Sequence, residues 1–194
     1  MFRIAIAALL MASTVQAEEI PLKNVWALNM PGTRDIRDLL EADGERSKLD
    51  IIVQALKDRR DIGSAFAVEG TGTEALNRIY NIVTQQKSIS DSLPSGEVSV
   101  AFFTKYTRYY VRISEVTVGP KNNIQIVFEL LPHREEQRTL YLALIPLGKL
   151  PAGKYDIAIA PKPIAKEFIE DGFKGAKSEE VEQTVSSSFT LKID

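Results

Sequence analysis

The feature that most constrains this chain is a change of hydrophobic period near residue 90: helical spacing before it, alternation after it. Leu49, Ile52, Val53 and Leu56 recur at i, i+3, i+4 and i+7, and Leu76, Ile79, Tyr80 and Val83 repeat the pattern. Residues so spaced share one helical face, so each segment predicts an amphipathic helix that must pack against something. Ser47 with Asp50, and Thr71 with Glu74, stand at capping-box distance at the two helix starts. Short strands are expected at Lys23–Leu28 and Ser64–Val68, and a brief helix at Arg34–Leu40 ending at Asp43-Gly44.

From Glu97 the period is two. Val98, Val100 and Phe102 alternate with polar or small neighbours. Val111, Ile113, Val116 and Val118 run into Gly119-Pro120-Lys121-Asn122-Asn123, and Ile124, Ile126, Phe128 and Leu130 return, which reads as a hairpin. Leu140–Ile145 is apolar on both faces and predicts a central, doubly covered strand. Pro151-Ala152-Gly153 turns into Tyr155, Ile157 and Ile159, and Phe189, Leu191 and Ile193 form a last alternating run. The expected fold class is α+β: a small helical N-terminal portion and an antiparallel sandwich. The expected division is 1–17 as a leader, 18–90 as the α-rich portion and 91–194 as the β domain. The polar stretch Ser88–Gly96 marks the boundary.

The first residues point to export. Met1-Phe2-Arg3 is a positive start, Ile4–Ala12 is an apolar run too short to span a bilayer, and Val15 and Ala17 occupy the −3 and −1 positions of a cleavage site. A chain cut near Ala17 is expected in the periplasm or outside the cell, soluble and without a membrane span. With zero cysteines it has no disulfide scaffold, thiolate nucleophile or cysteine metal site, so apolar burial must hold the fold together. Without Arg3 the 24 basic residues become 23 against 26 acidic ones, which argues against a nucleic-acid target.

The run Leu147-Gly148-Lys149-Leu150-Pro151-Ala152-Gly153-Lys154-Tyr155-Asp156-Ile157, followed by Ser188–Ile193, resembles the late strands of immunoglobulin-like, fibronectin-III-like domains in exported bacterial proteins. The resemblance covers roughly residues 97–194. It implies a β-sandwich with Tyr155 in a corner bond at the start of a late strand, and it implies no particular activity. The stretch Pro161–Thr184 is longer than the hairpin usual between the last strands of such domains.

Chemistry-bearing patterns are sparse. His133 is the sole histidine and has no nucleophile elbow or second ligand to work with. No catalytic residue, metal site or cofactor is therefore predicted. Arg34-Asp35-Ile36-Arg37-Asp38 is a dense charge cluster whose spacing on a helix gives i, i+3 and i, i+4 ion pairs. The clearest binding pattern is Lys105–Arg112. On one strand, Tyr106, Arg108, Tyr110 and Arg112 share a face, an aromatic–cationic ladder suited to stacking on a sugar or anchoring a protein. Trp26, the only tryptophan, is a further stacking candidate. The leading expectation is thus an exported, non-catalytic binding module of the cell envelope, its partner an envelope protein or a glycan. The rivals are a carboxylate hydrolase using Asp35, Asp38 or Glu69, and an architectural subunit of an envelope assembly. Oligomeric state is not legible in the sequence.

Overall fold

A computed structural model describes residues 18–30, 32–41, 46–58, 64–107, 109–132, 139–162 and 187–194. The leader and most of the Pro161–Thr184 stretch lie outside them. The elements are β1 (Glu18–Glu19), β2 (Trp26–Leu28), β3 (Arg34–Asp35), α1 (Ile36–Glu41), α2 (Arg46–Asp58), β4 (Ala65–Glu69), α3 (Gly72–Thr84) and β5 (Ser92–Leu93). They continue with β6 (Glu97–Thr107), β7 (Tyr109–Gly119), β8 (Asn123–Pro132), β9 (Thr139–Lys149), β10 (Gly153–Pro161) and β11 (Ser187–Ile193).

The strands form two packed sheets. A six-stranded sheet has the order β1-β7-β8-β10-β11-β5, and a five-stranded sheet has the order β3-β2-β9-β6-β4. Their facing sides enclose one apolar cluster, including Val100, Phe102, Val111, Ile113, Phe128, Ile145 and Ile157. The other side of the five-stranded sheet carries Phe66, Val68, Phe103, Leu142 and Leu144, and the buried faces of α1, α2 and α3 close over them. The layers therefore run helices, five-stranded sheet, six-stranded sheet.

This layering explains β9. Tyr141, Ala143 and Ile145 enter the sandwich, while Leu140, Leu142 and Leu144 meet the helices, so the strand is covered on both faces as its sequence predicts. β6 is covered in the same way: Ala101 and Phe103, which alternate with the expected core residues, lie under the helices. On α2, Leu49, Ile52 and Leu56 are buried and Val53 is half-buried; on α3, Leu76, Ile79 and Val83 are buried and Tyr80 is half-buried. Both apolar stripes face the sheet.

The sheets are not purely antiparallel. β8 pairs with β10, β5 with β11, and β2 with β3, all in parallel. The first case has a simple cause. The chain leaves the six-stranded sheet after β8, returns along β9 in the opposite sheet, and re-enters beside β8 in β8's own direction. Alternation reports which face a residue takes, not which strand lies beside it. β2, β3 and β4 also join the five-stranded sheet, so strands from before and after residue 90 share it. Within the polar stretch Ser88–Gly96, Ser92 and Leu93 pair with Lys192 and Ile193.

Local chemistry sets several boundaries. α1 begins at Ile36 rather than Arg34, because Arg34 and Asp35 pair with β2. The Asp35 carboxylate accepts from the Arg37 backbone N–H at 2.9 Å, as a helix cap does. Thr71 has the extended cap conformation (φ −133°, ψ 163°), but its side chain makes no capping bond. The turn before α3 is held instead by β6: Gly70 N–H donates to Glu97 O at 2.6 Å, and Ser99 Oγ donates to Gly70 O at 2.7 Å. Gly70 has φ +89°, and a Cβ there would sit 2.8 Å from the Glu74 side chain, so glycine is required. At the turn from one sheet to the other, Tyr155 starts β10, and its hydroxyl donates to Pro151 O at 2.9 Å. The corner bond expected of this tyrosine is formed.

Candidate binding surface

The chain crosses between sheets twice at the same end of the sandwich. β6 passes to β7 around residue 108, and β8 passes to β9 between residues 132 and 139. Strand register sets these crossings side by side. Tyr109 lies opposite Pro132, Tyr110 opposite Leu131, and Thr107 opposite Thr139. The β6–β9 register is irregular between Thr104 and Thr107, where the strands approach this end.

This geometry divides the predicted ladder. Tyr106 belongs to β6 in the five-stranded sheet, whereas Tyr110 and Arg112 belong to β7 in the six-stranded sheet. The four residues are therefore not one face of one strand, because the chain changes sheet within the run. Arg108 and His133 lie outside the described residues, as do the side chains of Tyr106 and Tyr110.

Arg112 is described fully. Its neighbours Val111 and Ile113 point into the core, so its own side chain stands on the outer face of the six-stranded sheet. Directly across on β8 is Glu129, which accepts from Arg112 Nε at 3.1 Å and also from Arg112 Nη2. Lys162 Nζ donates to the other carboxylate oxygen at 3.2 Å. The Arg112 guanidinium, chiefly by hydrogen bonding, holds the Glu129 carboxyl below the usual range, and Lys162 adds to this against partial burial. Two cations thus bracket one carboxylate, and the exposed Glu115, the next outward acidic residue on β7, balances the strip.

Trp26 is elsewhere. Val25 and Ala27 enter the sandwich, so Trp26 projects from the opposite side of the five-stranded sheet and packs half-buried against the helical layer. The Arg34 guanidinium lies 5.1 Å from its ring centroid, a cation–π contact that occupies a ring face. Trp26 and Arg112 therefore stand on opposite outer sides of the molecule and do not form one site.

The carboxylates of the hydrolase alternative are also separated. Asp35 is on β3 and Glu69 on β4, at opposite edges of the five-stranded sheet, roughly 19 Å apart at about 4.8 Å per strand step. A glycosidase pair requires about 5–10 Å. Asp35 is bound by Arg37 Nε at 2.8 Å, Glu69 by Arg78 at 3.1 Å, and Asp38 is exposed on α1. Among the described residues, no three His, Cys, Asp or Glu side chains gather as a metal site.

One cleft has no obvious sequence signal. A shallow depression of about 640 Å³ opens where β5, β10 and β11 meet, lined by Asp91, Ser92, Lys154, Thr190, Lys192 and Ile193 among others. Lys154 and Lys192 face each other across the strands, a proximity visible only once the register is known. Its hydroxyls are engaged: Thr190 Oγ1 donates to Asp156 at 3.0 Å, and Ser92 Oγ to Asp194 at 2.5 Å. Lys192 pairs with Asp194, which lowers the acid's pKa and raises the lysine's.

No described helix is long and apolar enough to cross a membrane. Comparison with protein-family models, curated proteins and solved structures gave no match.

Proposed function

We propose that this chain is an exported binding module of the cell envelope, and that it engages a protein or glycan through the end of the sandwich where the chain changes sheets. The observation that carries the reading is the pairing of Tyr109 with Pro132 and of Thr107 with Thr139. It gathers the Tyr106–Arg112 backbone and the approach to His133 at one end. Connections at one end of a rigid sandwich suit recognition, because the sheets fix their bases while their sequences vary freely. Tyrosine and arginine are the side chains most enriched where partners anchor. Arg112, paired with Glu129 beside this end, offers a guanidinium that a partner's hydrogen-bond acceptors can share.

Export rests on residues 1–17, whose charge, apolar run and small residues suit cleavage after Ala17. The immunoglobulin-like affinity of the fold rests on three features: the Tyr155 corner bond, the β10–β11 pair that follows it, and the β6–β9 pair in the opposite sheet. The placement of β8 between β7 and β10 is a departure from that plan.

The test compares the chain with a Tyr106→Ala/Arg108→Ala/Tyr110→Ala variant, both immobilised and probed with a glycan array and with solubilised envelope extract. Retained species that vanish from the triple variant at an unchanged melting temperature support the reading. Identical retention by the two proteins removes this end as the binding surface.

A further inference from the structure

The six-stranded sheet ends in an edge that is only partly closed. β5 covers β11 at two positions, Ser92 beside Lys192 and Leu93 beside Ile193. There, Lys192 N–H donates to Asp91 O at 2.8 Å and Asp194 N–H to Leu93 O at 3.0 Å. Successive residues of a strand direct their backbone groups to opposite edges. The even-numbered residues of β11 therefore face this edge and the odd-numbered ones face β10. By the same parity, the N–H and C=O of Ser188 and Thr190 point outward, and no strand among the described residues pairs with them. Proteins usually guard such edges with charge, proline or a bulge. Ser187–Leu191 has none of these: it is serine, serine, phenylalanine, threonine and leucine in regular register with β10.

We propose that β11 pairs antiparallel with β11 of a second copy of this chain, across a twofold axis at Phe189. The register follows from the geometry. With Phe189 opposite its own mate, Ser188 faces the mate's Thr190 and Thr190 faces the mate's Ser188. Every outward N–H and C=O of the two residues then finds a partner. The hydrogen-bonded part of the pairing is Ser188–Thr190, short of Lys192, whose N–H already donates to Asp91 O; Asp91 stands beside Leu191, so the mate's strand leaves the edge beyond its Ser188. No like charges meet across it, since the segment carries none. Phe189 gives the specificity. It lies on the core side of the sheet opposite Ile157 and is only half-buried in one copy. At the axis it forms a non-hydrogen-bonded pair with its mate, with Cα atoms about 4.5 Å apart, where two aromatic rings pack directly. This surface is separate from the proposed binding end, and its test is independent of that reading.

The purified chain is examined by sedimentation velocity over a concentration series. It is expected to reach twice the monomer mass. Thr190→Pro removes an N–H that faces only the outer edge, and is expected to weaken the dimer by at least about tenfold while the monomer stays folded. Because the chain contains no cysteine, Phe189→Cys gives a second readout. Across the axis it should oxidise to a covalent dimer at least about tenfold faster than Ser188→Cys, whose mate lies diagonally away. A chain that stays monomeric to millimolar concentration overturns the proposal. So does a dimer in which Phe189→Cys cross-links no faster than Ser188→Cys, whatever the fate of the proline variant.

Discussion

Replacing Tyr155 by phenylalanine deletes one oxygen and leaves the ring in place. The ring is 3% exposed, so its packing survives and the change reads the corner bond alone. A hydrogen bond of this kind contributes about 1 kcal/mol net. The cost stays near that value because Pro151 is exposed and water can solvate its freed carbonyl. In a domain of this size, the loss corresponds to a fall of roughly 2–4 °C in melting temperature. A second measurement adds a sign. Burial raises the Tyr155 phenol above its usual value near 10. The folded state therefore resists ionisation that the unfolded chain accepts. The stability this contributes is full below the unfolded pKa and is lost as pH rises through the folded one. The wild type should thus lead Tyr155→Phe by about 1 kcal/mol at neutral pH, and that lead should shrink on the alkaline side. Urea unfolding of both proteins from neutral to alkaline pH measures the difference directly. Equal stability at neutral pH, or a gap that stays constant through the alkaline limb, would refute the argument.

Leu142→Ala and Ile145→Ala, on the two faces of β9, should each cost about 2–5 kcal/mol in denaturant unfolding, since both side chains are fully buried. Arg112→Ala should change stability by no more than about 1 kcal/mol, because Arg112 is itself exposed and Lys162 still pairs with the half-buried Glu129. In the same variant the Glu129 carboxyl, held below the usual carboxylate range chiefly by its hydrogen bond to Arg112, should titrate at higher pH by carbon-detected NMR. The small stabilisation from this pair is present above the unfolded carboxyl pKa and fades as pH falls through the folded one, so Arg112→Ala should weaken the acid dependence. Thr104 Oγ1 is buried without a hydrogen-bond partner among the described residues, so Thr104→Val should leave stability equal or raise it by about 1 kcal/mol in thermal melts.

The sequence was legible where burial follows a simple period. The apolar stripes of α2 and α3, the hairpin of β7 and β8, and the double cover of β9 all follow from spacing. Sheet membership did not. Nothing in Ala65–Glu69 or Trp26–Leu28 says that these strands flank β6 and β9, because a short apolar run looks the same beside any neighbour. Tyr106–Arg112 shows the same limit: uninterrupted alternation reads as one strand, yet the chain changes sheet inside it. The charge cluster at Arg34–Asp38 looked like helix pairing, but its first two members are in a strand, which turns Asp35 into a cap and Arg34 into a cover for Trp26. The β5–β11 cleft was invisible because its lysines become neighbours only through register.

The position of β9 has a consequence for how the chain folds. Trp26 pairs with Leu144, so the first long strand partner of β2 emerges more than half the chain later. The helices fare no better, since the sheet they rest on is built around Leu140, Leu142 and Leu144. Closing such distant contacts costs chain entropy before any burial repays it, and folds dominated by them form slowly. An emerging chain therefore has no finished surface to collapse upon until β9 appears. A fragment ending before Thr139 should behave as an unfolded polymer, with little dispersion in its amide proton NMR spectrum.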